Sequence, residues 1–178
     1  MKRINVIGTS GSGKSHFSKR LAEKLNFQYI ELDAMYWKSN WEEPEIDTFL
    51  SELEETLESQ DWVLDGNHSR TNPIKWHRVD TIVWIDYSFS RTFRQILSRS
   101  IKRSLYRNEI WEGTGNRESF KRNFLSSKSV VLWMLKNYSK TKEKYGRLFK
   151  DERLKNIKFI HITSPKQAES FLRNIQCT

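Results

Sequence analysis

Short apolar runs alternate along the chain with longer stretches whose apolar residues recur every three or four positions. Residues 3–7, 28–32, 61–65, 81–85 and 156–162 are short runs rich in Val, Ile, Leu and aromatics, and each predicts a strand. Thr81-Ile82-Val83-Trp84-Ile85 is almost wholly apolar, as a parallel strand covered on both faces requires. Between the strands the period changes. Phe17, Leu21 and Leu25 lie four apart within residues 16–25. Pro44 opens a second helix over 45–59, with Ile46, Phe49, Leu50, Leu53 and Leu57 on one face. Phe93, Ile96, Leu97, Ile101 and Leu105 form a stripe along 90–108. A long helical stretch over 120–150 is expected to break near Ser126 and at Gly146, and a last helix covers 166–175. Phe124, Leu132, Trp133, Leu135 and Tyr138 are expected to pack inside. Strands alternating with helices predict an α/β doubly wound domain, a single one over 1–178, on a parallel sheet.

Composition narrows the setting. The 178 residues are 37% hydrophobic and 30% charged, which suits a globular chain with a core of its own. No apolar run reaches the length of a membrane span. The first strand begins at once, without the charged and apolar regions of a signal peptide. The one cysteine, Cys177, excludes a disulfide within the chain, so a reducing cytoplasm is expected. The net charge of +9 implies polyanionic ligands. Basic residues concentrate between Arg91 and Arg153 while 42–58 is acidic, which suggests a localised cationic wall.

The turn after the first strand adds chemistry. Gly8-Thr9-Ser10-Gly11-Ser12-Gly13-Lys14-Ser15 fits the phosphate-loop pattern of glycine, four residues, Gly-Lys, then Ser or Thr. Backbone N–H groups must close around phosphate oxygens there, and side chains at Gly8, Gly11 and Gly13 would obstruct them. The positive end of the next helix completes an anion site. Lys14 can reach the β- and γ-phosphates of ATP, and the Ser15 hydroxyl can ligate Mg²⁺.

Strands of this kind of sheet deliver polar groups at their carboxyl ends. Asp33 stands there, followed by the aromatic stretch containing Trp37 and Trp41. The indoles could stack on a base while Asp33 accepts from a hydroxyl or amine, or they could pack under a helix. Asp65 is placed to hold a water ligand of Mg²⁺. Gly66, Asn67 and Arg70 follow it, and Arg70 could grip an acceptor phosphate as a fork. His68 is read as a hydrogen-bonded loop residue, not a base. Asp86 is read as a carboxylate beside the next helix start. Arg99, Arg103 and Arg107 lie four apart, and their mutual repulsion would be offset by a bound polyphosphate. Residues 109–119 contain Gly113, Gly115 and Arg117 and predict a mobile loop able to close over donor phosphates. Lys140, Lys142, Lys144, Arg147 and Lys150 predict a solvated basic surface.

Together these motifs resemble the adenylate kinase-like nucleoside monophosphate kinases. More narrowly, the chain looks like the bacterial adenylate kinase-related, DNA topology modulation (FlaR-like) proteins. The likeness rests on Leu32-Asp33 with Trp37 and Trp41, Trp62-Val63-Leu64-Asp65-Gly66-Asn67, Val83-Trp84-Ile85-Asp86, and Ile110-Trp111 with Gly115-Asn116-Arg117-Glu118. It implies a P-loop NTPase fold, three layers α/β/α, with a five-stranded parallel sheet in the order 2-3-1-4-5. It also implies an acceptor region at about 33–60 and a short arginine-bearing lid at about 99–120. Asp65-Gly66 matches the Asp-Gly ending the third strand in adenylate kinases. Arg70 resembles their acceptor-phosphate arginine, in a loop one residue longer. Arg99 and Arg103 resemble the arginines leading into their lid, and Ser164-Pro165 the turn flanking adenine. The early acceptor helix of those kinases is replaced by the 33–41 aromatic stretch, and the lid has no cysteine cluster.

The implied activity is transfer of the γ-phosphoryl of ATP, with Mg²⁺, to a nucleoside monophosphate or related small acceptor by a monomer or homodimer. Lys14, Arg99 and Arg103 would neutralise the transferring group, Arg107 and Arg117 would belong to the lid, and Pro165 would flank adenine. Asp33, Trp37, Gly66, Asn67 and Arg70 would position the acceptor. Two other readings stay open: a kinase of a small hydroxylated metabolite or nucleoside, with Asp33 as base, and an ATP-binding regulator that touches nucleic acid.

Overall fold

The computed structural model describes residues 1–126 and 129–175; Cys177 lies outside the described residues. Five strands form one parallel sheet: β1 (Arg3–Gly8), β2 (Gln28–Glu31), β3 (Trp62–Asp65), β4 (Thr81–Ile85) and β5 (Lys158–Ile162). Their order is β2-β3-β1-β4-β5, the order expected from the resemblance. β1 lies at the centre, with Val6 opposite Asp65 on one side and Val83 on the other. All five therefore point their carboxyl ends to one edge, and the phosphate loop leaves β1 at that edge.

Helices cover both faces, because a parallel sheet is apolar on both. On one face α1 (Lys14–Leu25) buries Phe17, Leu21 and Leu25 beside Ala168 and Leu172 of α7 (Pro165–Asn174). On the other, α3 (Ile46–Thr56) presses Phe49 and Leu53 onto Trp62 and Leu64. Each such side chain, withdrawn from water, contributes about 1.5–3 kcal/mol. The remaining helices are α2 (Leu32–Tyr36), α4 (Asn72–Arg78), α5 (Phe89–Tyr106) and α6 (Val130–Leu148).

Four departures from the sequence expectations have local causes. Residues 28–32 are not all strand: β2 ends at Glu31 and the chain turns into α2, whose Leu32 and Tyr36 are buried. The buried line of α5 is Thr92, Ile96 and Ser100, so the apolar stripe leaves the core at its far end, where Ile101 is 41% and Leu105 75% exposed. Gly146 does not break α6, which runs on to Leu148; no neighbouring atom lies within 4 Å of where its Cβ would stand. The break near Ser126 is present. A turn of wide helix over Lys121–Leu125 stops there, and the Ser129 hydroxyl caps α6 by accepting from the Leu132 N–H at 3.1 Å. Leu132, Trp133 and Leu135, expected inside, are 39–45% exposed on α6.

Candidate active site

The loop from Gly8 to Gly13 joins the sheet edge to α1 under tight steric limits. A Cβ on Gly8 would stand 2.6 Å from Ser12 Oγ and 2.7 Å from the Ile85 carbonyl oxygen, which is backbone and cannot yield. Gly13 sits at φ 89° directly before α1, a left-handed turn that lets the chain enter the helix with its first N–H groups facing the loop. Four polar atoms are buried around this loop without hydrogen-bond partners: Thr9 Oγ1, Ser12 Oγ, Gln95 Oε1 and Arg99 Nε. Buried polar groups are almost always paired, so four around one loop mark a place where a ligand would supply the missing bonds.

Lys14 Nζ lies 3.5 Å from Asp65 Oδ1, and Asp65 is 2% exposed. Tyr29 steers that carboxylate by donating its hydroxyl to Oδ2 at 3.2 Å, which leaves Oδ1 free toward the lysine. Burial and the charges of Asp65 and Glu31 hold the Tyr29 phenol protonated far above its usual range.

Three cavities meet here. The inner one, about 250 Å³, is bounded by Ser10, Lys14 and Ser15 on the loop side, by Asp33, Arg99 and Arg103, and by four indoles: Trp37, Trp41, Trp111 and Trp133. A second, about 240 Å³, runs along the loop past Gly11, Gly13 and Lys14 to Arg99 and Arg103. The third, about 320 Å³, lies beyond Gly13 between Arg91 of α5 and Pro165 of α7. Arg99 is half-buried; desolvation first, and then the neighbouring Arg103, lower its pKa, although an arginine stays charged. Arg103 donates to Glu118 at 2.8 Å.

Residues 109–119 are docked onto the aromatic stretch. Asn116 is fully buried. Its Oδ1 accepts from the Trp41 N–H at 2.7 Å and its Nδ2 donates to the Lys38 carbonyl at 2.9 Å. Trp111 donates its indole N–H to Glu31 at 3.1 Å and stands edge-on to Trp41 at 5.9 Å. Trp37 packs against Trp41 in the same manner at 5.7 Å, so packing and cavity lining are both true of these indoles. The clamp holds Asn40 and Trp41 at φ 58° and 63°, unusual for residues with side chains and especially for an indole. Arg122 lies 4.0 Å above the Trp41 ring and faces the cavity, with no ion pair from its guanidinium among the described residues.

The sequence-derived candidates divide accordingly. Lys14, Ser15, Asp33, Trp37, Arg99 and Arg103 share the inner cavity. Pro165 borders the third cavity. Five residues do not join them. Arg70 is exposed outside the cavities. Asn67 is turned aside, donating to the Tyr145 hydroxyl, and Gly66 is packed against Leu32. Arg107 is the exposed left-handed cap of α5, and Arg117 points outward to Glu109 at 3.7 Å. The basic surface of α6 is also less free than expected: Lys142 pairs with Asp86 at 3.2 Å and Lys144 donates to Ser69 at 2.6 Å. Asp86 also meets His161 Nε2 at 3.0 Å. His68 packs at a tilt against Tyr36, and burial lowers its pKa. Among the residues not read as site candidates from the sequence, Glu118, Asn116 and Trp111 stood in a recognisable motif, Trp133 was expected to pack inside, and Arg122 carried no signal.

No family model matches the chain. Among curated proteins, a probable gluconokinase of Schizosaccharomyces pombe is 51% identical over 37 residues, 21% of this chain and 19% of that protein. The match thus spans about a fifth of that relative's length. Shikimate kinase from Bacteroides thetaiotaomicron superposes with a TM-score of 0.56 at 15% identity, covering 97% of this chain and 94% of that one. Shikimate kinase from Acinetobacter baumannii, solved with shikimate, gives 0.52 at 14% identity over 97% and 89%. A gluconokinase from Sinorhizobium meliloti 1021 gives 0.50 at 19% identity over 97% and 91%. At these identities the likeness is one of architecture, and the chain has the α/β fold of the P-loop small-molecule kinases.

Proposed function

We propose that the protein is an ATP-dependent kinase that moves the γ-phosphoryl of ATP to a hydroxyl of a small acceptor. The observation that carries this reading is the shared inner cavity, where Asp33 faces the same space as Lys14, Ser15, Arg99 and Arg103. The acceptor oxygen attacks the γ-phosphorus, the bond to the β-phosphate oxygen breaks, and ADP leaves. Asp33 takes the hydroxyl proton, a step worth roughly 10²–10⁴ in rate when the base is well placed. Lys14, Arg99 and Arg103 would offset the charge on the transferring group, and positioning supplies most of the rest.

The residues present fit a nucleotide-borne Mg²⁺. Ser15 lines the cavities beside Lys14, and Asp65 Oδ1, which faces Lys14 and accepts no hydrogen bond, is a carboxylate acceptor suited to a metal-bound water. The ion would neutralise phosphate charge. The third cavity, between Arg91 and Pro165, is the place for the donor base.

The acceptor is read as a hydroxyl compound rather than a nucleoside monophosphate for two reasons. A cavity of about 250 Å³ must hold the reacting phosphoryl as well as the acceptor, so one small ring is the natural occupant. Arg70, the residue expected to bind an acceptor phosphate, stands outside it, as does Asn67. The structural neighbours are likewise named for shikimate and gluconate. The narrower likeness to adenylate kinase-related proteins supports the ATP side of the reading and leaves the acceptor to the cavity. Among the described residues no helix is long and apolar enough to cross a membrane, and a kinase drawing on ATP fits a cytoplasmic setting. The test is ADP production with Mg²⁺ against polyols, hydroxy acids, nucleosides and nucleoside monophosphates. Acceptor-dependent turnover should fall sharply in Asp33→Asn while ATP still binds.

A further inference from the structure

A nucleotide is a base, a ribose and a phosphate chain joined in that order. If the third cavity takes the base and the loop-side cavity the phosphates, as the kinase reading above holds, the ribose must lie where the two meet. Three residues border both cavities: Gly13, His16 and Gln95. Gly13 offers only backbone, and the His16 side chain is exposed. Gln95 differs. It rises from α5 beside Thr92 and Ile96, both fully buried, and is itself partly buried. Its Nε2 lies 3.8 Å from where a Cβ of Gly13 would stand, which sets the amide against the phosphate loop. Its Oε1 is buried and accepts no hydrogen bond.

The chemistry of that orphan acceptor narrows what can satisfy it. A phosphate oxygen at neutral pH has no hydrogen to give. A ribose hydroxyl has one, and it must pass this point. We infer that Gln95 reads the donor sugar, with Oε1 accepting a hydrogen bond from a ribose hydroxyl, so that the protein selects ribonucleotides over their deoxy counterparts. A buried acceptor left without its donor is penalised more than an exposed one, which is how a single amide can discriminate between sugars.

The experiment needs no knowledge of the acceptor. Binding of ATP, 2′-deoxyATP and 3′-deoxyATP, each with Mg²⁺, is measured calorimetrically on the full chain and on Gln95→Met, whose folding is checked by thermal melting. The wild type should bind one of the deoxynucleotides about tenfold more weakly than ATP, ~1.4 kcal/mol, and the weaker one identifies the hydroxyl. Gln95→Met should bind all three alike, at the wild type's deoxynucleotide affinity. Equal binding of the three by the wild type overturns the inference even if the variant does not fold. So does discrimination retained in Gln95→Met. Failure of ATP itself to bind would instead overturn the kinase reading and the inference with it.

Discussion

Lys75 offers a quantitative test of how α4 is packed. It is 1% exposed, and its ammonium has no hydrogen bond or ion pair among the described residues. Burial, and then the charge of Lys144, push its pKa from 10.5 down to about 7. The sign follows directly. Between about pH 7 and 10.5 the folded protein holds this amine neutral while the unfolded chain protonates it. The unfolded state therefore binds one more proton, and stability rises with pH across that window by up to ~1.4 kcal/mol per unit. Below pH 7 both states are charged and the slope vanishes. Other groups titrate in the same range, so the informative quantity is the difference between the wild type and Lys75→Met, taken from urea unfolding at pH 6.5, 7.5, 8.5 and 9.5. Met fills nearly the same volume without a charge. The wild type should gain on the variant by roughly 1 kcal/mol per unit above pH 7. A difference that stays flat with pH would refute the argument and place the amine in water.

Other perturbations follow from the site and its supports. Asn116→Ala removes two buried hydrogen bonds that hold the 109–119 segment on the aromatic stretch. It should cost about 2–4 kcal/mol in urea unfolding and raise the acceptor KM more than the ATP KM. Gly146→Ala, in the last turn of α6 with open space around it, should stabilise by about 0.5–1 kcal/mol, read as a higher urea midpoint. Gly8→Ala forces its Cβ against Ile85 backbone, and both stability and ATP binding by calorimetry should fall.

Much of the architecture was legible because it depends on period and order. Five apolar runs separated by helical stretches allow few arrangements, and the phosphate loop marks the edge at which they open. The lining of the inner cavity was legible where a residue follows directly from a strand end, as Asp33 does. It was less legible along α5. Residues four apart on a helix drift by about 40° per step, so a row of five cannot face one cavity throughout. The sequence row ran from Arg99 to Arg107. In the structure the useful row starts earlier, with Arg91 and Gln95 at the outer cavity, Arg99 and Arg103 inside, and Arg107 turned away as the helix cap. Asn67 stands outside the cavity for a different reason. α6 comes from distant sequence and occupies Asn67 through Tyr145, a contact no local pattern announces. The glycines at 113 and 115 suggested mobility, yet Asn116 between them and Arg117 is the anchor.

The central claim is a hydroxyl acceptor served by Asp33. It is tested most directly by ³¹P NMR of the product formed from ATP, Mg²⁺ and each active acceptor of the panel, with Lys14→Ala and Asp33→Asn as controls. The account predicts a new phosphomonoester resonance, absent with Lys14→Ala and strongly reduced with Asp33→Asn. A coupled phosphoanhydride doublet formed from a nucleoside monophosphate, undiminished in Asp33→Asn, would contradict it.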